Sequence, residues 1–494
     1  SFHHFVDYDS GSTFVMHILS RPRFVVESLR LLWLGIAVWY EHIVFLVTIR
    51  RCSWPDSDTL DSPPSHVLIV ADPQILDHRS YPDRGLVLTY ISQFLVDLNL
   101  RKSWRASLKL KPDVVVFLGD MMDGGRFAMS DAEYERYFRR FKSIFACPST
   151  IPQHYIPGNH DTGLGASEEF SEHAKERYIS HFGPLNHHEH LANHTLVFLD
   201  GPSLAEEERL RPGRSYFETP STPSGPIEFT RSFSASAHSN PIVLFTHIPL
   251  HRPDGSSCGP HRERGSIRRG FGFGYQNTLS RATSDFLLQS LEPAVIFSGD
   301  DHDYCEHTHS FVNQGKKKLV REVTVKSPSM AMGIRHPGVQ LLSLGPSTHN
   351  DALCLLPDQL GIYLSVYLPL LVLSLALVLF ANLRRVQTRN ERASPLRYNL
   401  GRSSDDYPRE NLPNPGSHKT RLKKPILSQS FVIFGQRRRI DIHFSSIYRL
   451  ATCCYDSQGV PRLRGFWMGV LVDVKDVAVV PLAIFSILSW WMFR

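Results

Sequence analysis

The stretch Asp113–Asp123, DVVVFLGDMMD, decides the fold. Apolar residues run from Val114 to Leu118, stop at Gly119-Asp120, and a second carboxylate follows at Asp123. A short β-branched run that ends in glycine and a polar cluster reads as a buried strand delivering a carboxylate at its carboxyl end. The same unit recurs along the chain. HVLIVA (66–71) stops at Asp72-Pro73-Gln74, and HYIP (154–157) leads into Gly158-Asn159-His160-Asp161. TLVFLD (195–200) is a further strand, PIVLFT (241–246) leads to His247, and AVIF (294–297) leads to Ser298-Gly299-Asp300-Asp301-His302-Asp303. Stretches with helical spacing lie between them, as at 84–111 and 130–146. The alternation predicts an α/β fold. In open α/β sheets chemistry gathers beyond the carboxyl ends of the strands, where these clusters fall.

A single Asp after a strand is commonly a helix cap or turn residue. Five polar clusters in order, each at a strand end, point instead to one site. Their order and spacing across 66–345 resemble the calcineurin-like metallophosphoesterase superfamily, whose pattern runs D-x-H, GDxxD, GNH[D/E], H and GHxH. Two positions depart from it: Gln74 stands where His is usual, and Asp300 stands at the first His of GHxH, with His302 at the second. ADPQ (71–74), GYQNTLS (274–280), SGDDHDYC (298–305) and VKSPSMAMG (325–333) are similar to the fungal membrane-bound Cdc1/Ted1 group, more to its Cdc1-like branch. That group is related to the animal phosphodiesterase that remodels GPI glycans. The resemblance implies a four-layer fold, with two β-sheets flanked by helices. It implies a two-metal centre, with Mn²⁺ as the ion. The implied reaction removes ethanolamine phosphate from a mannose of the GPI-anchor glycan, the substrate being the glycan or a GPI-anchored protein. The implied setting is the endoplasmic reticulum membrane, or the Golgi, with the catalytic domain lumenal.

A phosphodiester carries negative charge that repels an incoming hydroxide. Two divalent ions about 3.5–4 Å apart overcome this by holding the phosphoryl oxygens and lowering the pKa of a water between them. Such a pair needs a carboxylate that touches both ions, and the resemblance implies Asp120. It implies Asp72, Asp120 and His302 around one ion, and Asp120, Asn159, His247 and Asp300 around the other. Gln74 is an open fourth ligand for the first. Asp301 or Asp303 could stand in for Asp300, and His78 for Gln74. Oxygen ligands in place of imidazole favour a hard ion such as Mn²⁺. His160 is expected to face the leaving-group oxygen as a proton donor, with Asp161 holding its orientation and Asp123 bracing the loop by a bond to His160 or to a backbone N–H. In the basic, glycine- and aromatic-rich segment 251–278, His261, Arg262 and Tyr275 are candidate substrate contacts.

Outside this region the chain is apolar in three places. Residues 359–383 carry no charge over 25 residues, and Arg384, Arg385 and Arg389 follow at once, as at the cytosolic end of a transmembrane helix. Residues 31–49 are apolar around Glu41-His42, and a charge inside a span usually faces a protein partner. Residues 465–494 form the third candidate span, with Pro481 as a kink and Trp490 and Trp491 as an interface belt. The expected layout is an N-terminal segment 1–23, a span 24–50, a linker 51–65, the catalytic domain 66–345, a linker 346–358, a span 359–383, a basic loop 384–464 and a span 465–494.

The whole chain carries a net charge of +6 over 494 residues. The loop 384–464 holds 17 Lys/Arg against 6 Asp/Glu. A basic block tethered between two apolar runs predicts a lipid bilayer as partner, and no nucleic acid. FVIFG (431–435) and HFSSIYRL (443–450) are expected to add short ordered pieces. With 384–464 cytosolic, 50–358 lies across the membrane, where Asn193-His194-Thr195 is a glycosylation acceptor pattern. Of the seven cysteines, five lie on that side, which permits disulfides and leaves at least one unpaired. The cysteine spacing contains no C-x-x-C, so no thiolate zinc site is indicated.

Two other functions fit parts of the pattern. One is a membrane-bound phosphatase acting on another phosphoester or a pyrophosphate, which would need the same centre. The other is a non-catalytic metal-homeostasis protein, which the presence of Asp72, Asp120, Asn159, His160, His247 and His302 together argues against.

Overall fold

The computed structural model describes residues 22–57, 63–165, 167–211, 215–217, 220–236, 238–313, 315–393, 427–433, 436–442 and 463–493. The N-terminal segment 1–21 and most of the basic loop 384–464, including HFSSIYRL (443–450), lie outside the described residues. Within that loop, Leu427–Ile433 and Gln436–Ile442 pair as an antiparallel hairpin that takes in most of FVIFG. The chain divides into two compact units.

The larger unit spans Ala37–Val366 with Phe485–Arg494. Its strands in chain order are β1 (Ser65–Val70), β2 (Val114–Phe117), β3 (Gln153–Tyr155), β4 (His187–Leu191), β5 (His194–Leu199), β6 (Ile242–Thr246), β7 (Phe271–Gly272), β8 (Tyr275–Gln276), β9 (Val295–Ser298), β10 (Cys305–Asn313), β11 (Lys316–Thr324), β12 (Gly338–Leu344) and β13 (His349–Leu355). One sheet runs β13-β12-β1-β2-β3 and the other β10-β11-β9-β6-β5-β4. β1, β2 and β3 are mutually parallel, as are β5, β6, β9 and β11. The site therefore gathers at one edge of each sheet.

Period-two side-chain alternation explains the layering. Val67, Ile69, Val114 and Val116 of the first sheet meet Leu196, Phe198, Val243, Phe245 and Phe297 of the second in an apolar interlayer. Their alternate neighbours Leu68, Val70, Val115 and Phe117 face Leu100 and Trp104 of helix α3 and Phe141 and Ile144 of α4. On the other side Val197, Leu199, Leu244 and Ile296 meet helices α7, α8 and α9 through Leu204, Ile227 and Phe286. Here α3 is Leu86–Ser107, α4 Asp131–Ile144, α5 Asn159–Thr162, α6 Ala174–Phe182, α7 Gly201–Arg209, α8 Pro226–Ser234 and α9 Arg281–Leu291; α1 (Pro22–Val38) and α2 (Val44–Ile49) precede them. The result is helix, sheet, sheet, helix. Local signals set the helix starts: the side chains of Ser130, Asp200 and Ser280 each cap an amide of the following first turn.

The boundary expected at 345 is corrected. Residues 349–355 are not linker: they form β13, which pairs with β12 and closes the edge of the first sheet. Cys354 in this strand is disulfide-bonded to Cys52, fastening the two ends of the unit together. A second disulfide joins Cys258 to Cys305, and Cys147 is left unpaired.

Among the described residues two helices are long and apolar enough to cross a membrane, Arg23–Ile49 and Gln359–Thr388. Each carries a π-helical turn, at Trp39–Ile43 and Tyr363–Tyr367. The charge at Glu41 is met by protein: Lys102 Nζ lies 2.7 Å from Glu41 Oε2. The smaller unit holds α1 up to Ile36, α10 (Leu368–Ala393) and much of α11 (Leu463–Phe493), which contains Pro481. These pack through Val25, Leu29, Val378, Val470 and Val477, and Asn382 Nδ2 donates to Asp473 Oδ2.

Candidate metal centre

The loops after β1, β2, β3, β6 and β9 bring the five sequence clusters together. Asp72, Asp120 and His302 place one donor atom each within 4.8 Å of one another. A second group surrounds His247 Nε2: Asn159 Oδ1 at 3.0 Å, Asp120 Oδ1 at 3.5 Å and Asp300 Oδ1 at 3.6 Å. Asp120 belongs to both groups. The orientation of each donor is set from outside. His247 Nδ1 donates to Leu118 O at 2.7 Å, which turns Nε2 inward. Asn159 Nδ2 donates to Gly274 O at 2.7 Å, which leaves Oδ1 facing the cluster.

The backbone is strained where these donors cluster. Asp72, Gln74, Asp120, Asp300 and His302 all have φ between 37° and 68°, half of the ten such non-glycine residues described. Each costs of order 1–3 kcal/mol and persists only where the surroundings over-determine it. The glycines are there because the loops touch. A Cβ on Gly158 would lie 2.0 Å from Asp120 Oδ1, and one on Gly119 would lie 2.5 Å from His247 Nδ1.

The donors fit a cationic occupant. Asp72 Oδ2 is buried without a hydrogen-bond partner. Burial, with Asp120 and Asp300 beside it, holds the Asp72 carboxyl well above its usual range. Burial and Asp120 push Asp300 up to about 7. Burial works against a charge on His247, but Asp120, Asp72 and Asp300 outweigh it and raise the ring to about 9. Protons at these positions stand where divalent charge would settle the carboxylates. The mixed carboxylate, amide and imidazole set suits divalent ions.

His160 lies beside this cluster. Its backbone N–H donates to Asp120 Oδ1 at 2.8 Å. Its ring Nδ1 meets Asp123 O at 2.7 Å and Asp123 Oδ1 at 3.1 Å. Burial opposes its charge, yet Asp120 and Asp123 raise it to about 9. The expected orienting residue is thus corrected. Asp161 does not hold this ring: its carboxylate accepts the N–H groups of Met121, Met122 and Gly158, tying the second and third loops together.

Other expected positions divide. Gln74 is at the centre, but its Nε2 donates to Asp120 Oδ2 at 2.9 Å, so it holds the shared carboxylate. Asp301 and Asp303 are not available as ligands. Arg262 clasps both oxygens of Asp301, and Asp303 takes Lys326 Nζ at 2.8 Å and the amides of Glu263 and Arg264. His78 is turned away, its Nδ1 on Tyr137 Oη at 3.2 Å. Arg262 is held by Asp301 and Tyr304 O, and His261 is exposed with its ring edge-on to Tyr304. Tyr275 is exposed in the β7–β8 hairpin, next to the Gly274 carbonyl that holds Asn159.

Three supporting residues were not singled out from sequence. Buried Arg126 donates to Asn159 O and Gly274 O. Ser327 Oγ donates to Asp72 O, and its N–H to His302 O. Glu322 receives Leu250 N–H and Ser298 Oγ, bracing the loops after β6 and β9. Ser327 lies in VKSPSMAMG, one of the stretches that carried the resemblance; Arg126 and Glu322 have no comparable signal.

Known proteins match this arrangement. The family model described as calcineurin-like phosphoesterase matches residues 65–304. Cell division control protein 1 of Saccharomyces cerevisiae is 33% identical over 431 residues, covering 82% of this chain and 84% of that protein. The metallophosphoesterase 1 homolog of Drosophila melanogaster is 25% identical, over 72% of this chain and 92% of its own. Metallophosphoesterase 1 of Ailuropoda melanoleuca is 26% identical, over 69% and 86%.

Proposed function

The chain belongs to the calcineurin-like metallophosphoesterases, close to yeast cell division control protein 1, and from that premise we propose that it removes ethanolamine phosphate from a mannose of the GPI-anchor glycan. It is a metal-dependent phosphoesterase. The observation that carries the reading is the double membership of Asp120, in the group with Asp72 and His302 and in the group with Asn159, His247 and Asp300. Those two groups would each hold one divalent ion, and the oxygen-rich donors favour Mn²⁺. Bound ions supply Lewis acidity to the phosphoryl oxygens and an activated water. His160 carries the proton for the departing sugar alkoxide, with Nδ1 pinned by Asp123 so that Nε2 is left for the substrate. Gln74 fixes Asp120, and Asp161 fixes the loops that bear Asp120 and Asn159.

The proposed setting is the endoplasmic reticulum or early secretory pathway, multi-pass, with the catalytic unit lumenal. Two apolar helices of membrane length support anchoring, and a GPI precursor is itself held in a bilayer. The disulfides Cys52–Cys354 and Cys258–Cys305 support an oxidising compartment. Asn193 is exposed at the tip of the β4–β5 hairpin, accessible to glycosylation. The test is mass analysis of GPI glycans before and after treatment with the purified full chain and Mn²⁺. Loss of one ethanolamine phosphate is expected. An unchanged glycan, with a nitrophenyl phosphodiester still hydrolysed, would refute this substrate.

A further inference from the structure

A cavity of about 490 Å³ opens behind the β7–β8 hairpin. Its size is that of a small-ligand site, where mostly apolar walls carry a few placed polar groups. The end of α7 contributes Arg209, the segment before β7 contributes Arg269, and the start of α9 contributes Arg281, with His251 between them.

The charge in this cavity is unbalanced. Its carboxylate, Glu208, is already engaged: Oε1 takes Gln276 Nε2 at 3.2 Å, and Oε2 takes Ser280 N–H at 2.8 Å and Thr283 Oγ1 at 2.5 Å. Among the described residues Arg209 and Arg269 form no ion pair. Arg209 donates to Gln276 Oε1 at 3.3 Å, and Arg269 meets His251 Nε2. Arg281 has Asp285, 3.8 Å away on its own exposed turn. The His251 ring responds to the excess: burial, with Arg269 and Arg281 beside it, holds it below its ordinary value. Guanidinium groups left without carboxylates attract an anion, and their planar donor fork matches a phosphoryl group.

Three ties place the cavity beside the metal centre. Gly274 at the hairpin tip accepts Asn159 Nδ2, and Gln276 in the cavity wall is two residues on, about 7 Å along a strand. Leu279, also in the wall, donates its N–H to Pro249 O, just past His247. Arg209 lies against the loop after α5, where a Cβ on Gly165 would be 3.0 Å from its Nη1. Loops that carry Asn159 and His247 therefore also carry or touch the cavity walls.

We propose that this cavity is a second phosphate subsite of the active site, in which Arg209, Arg269 and Arg281 bind a phosphoryl group on a sugar neighbouring the one that bears the scissile phosphodiester. Phe271 and Leu279 give the wall apolar surface for the sugar itself. The subsite rests on the phosphodiesterase reading above and narrows its substrate to a glycan with at least two phosphoryl groups.

Two synthetic mannobiosides test this on the full chain with Mn²⁺. Both carry the same ethanolamine phosphodiester, and one also carries a phosphonate, which cannot be hydrolysed, on the neighbouring sugar. The phosphonate compound should show a kcat/KM about tenfold higher. Arg269→Gln/Arg281→Gln should bring the ratio to about one, while Arg269→Lys/Arg281→Lys should keep most of it, because the charge remains. Equal kcat/KM in the unaltered chain, or a preference that survives the change to Gln, would overturn the subsite. Binding is read separately by calorimetry of a mannoside phosphonate on the Asp120→Asn chain in chelator, which removes the metal centre as a phosphate site. That affinity should fall about tenfold in Arg269→Gln/Arg281→Gln. Binding that depends on these arginines in a chain that cleaves neither mannobioside keeps the subsite and removes the proposed reaction. No binding, or equal affinity for inorganic phosphate alone, overturns the subsite as a reader of the glycan.

Discussion

Replacing His160 with Ala separates proton donation from metal binding. The ring sits in neither ligand group, and the contact that ties this residue to the centre is its backbone N–H on Asp120 Oδ1, 2.8 Å, which Ala retains. Both metals should therefore stay bound. A sugar alkoxide leaves poorly unless protonated, and general acid help contributes about 10²–10⁴-fold, so His160→Ala should lose that on a sugar or alkyl phosphodiester. The loss should shrink with a nitrophenyl ester, whose leaving group departs without a proton. Asp123→Asn should follow the same dependence more weakly, about 10–100-fold, because the contact from His160 Nδ1 to Asp123 O at 2.7 Å survives. Asp161→Asn should behave otherwise. It weakens charge-assisted bonds to Met121, Met122 and Gly158, each worth about 1.5–3 kcal/mol, so it should lower stability and slow both esters alike. The assay is metal content, thermal unfolding, and steady-state rates of each variant on both esters. If His160→Ala held both metals yet were equally slow on the two esters, the acid role would be wrong and the ring would instead stabilise phosphoryl charge.

Asp120→Asn should remove activity by orders of magnitude, and chelation should do the same, with Mn²⁺ restoring the rate. Metal at 100 times its Kd should stabilise the fold by about 2.7 kcal/mol, read as a rise in Tm; an unchanged Tm would argue against specific binding. Gln74→His should replace a donor to Asp120 by an imidazole and shift metal content from Mn²⁺ toward Zn²⁺, which elemental analysis after growth in mixed metals would detect. Glu322 is held down to about 2 despite burial, by Arg252 and His309, against an ordinary value of 4.5. A depressed carboxyl stabilises the fold above its unfolded value, so that stability should be fully present above pH 4.5 and lost as pH falls toward 2; Glu322→Gln should flatten this part of an acid unfolding curve. Cys52→Ser/Cys354→Ser should cost about 2–4 kcal/mol in denaturant unfolding, and reduction of the intact chain should reproduce it.

What was legible in the sequence follows from which interactions are local. The parallel strands announced themselves because both faces are buried, giving runs such as VVVFL, and the turn after each exposes its ligand at once. β10, β11 and β13 were not legible. β10 and β13 pair antiparallel, β11 is antiparallel to β10 and parallel to β9, and all three have mixed exposure, carry runs such as KKKLVREVT, and owe their pairing to partners far away in sequence or to register with each other. The residues that meet at the centre were legible because motif spacing encodes them. The partner of His160 was legible only as a choice, since Asp123 and Asp161 are both short acids within reach of one loop and only the backbone conformation decides between them. Arg262 looked available for substrate because its partner Asp301 lies 39 residues away.

The departures at Gln74 and Asp300 leave the centre intact because both residues are held in it through their backbone N–H groups. Asp300 N–H donates to Asp72 Oδ1, Gly299 N–H to His247 O, Gln74 N–H to Asp120 O, and His160 N–H to Asp120 Oδ1. Ser327 adds a hydroxyl on Asp72 O and an N–H on His302 O. At Gln74 and Asp300 the bond is made by the residue's own backbone N–H, which another side chain at that position leaves in place, and the left-handed residues are held by such bonds from several directions. A side chain on such a frame can change from imidazole to amide or carboxylate without releasing its neighbours. The frame sets where a divalent ion can sit, and the side chains on it set which ion is preferred.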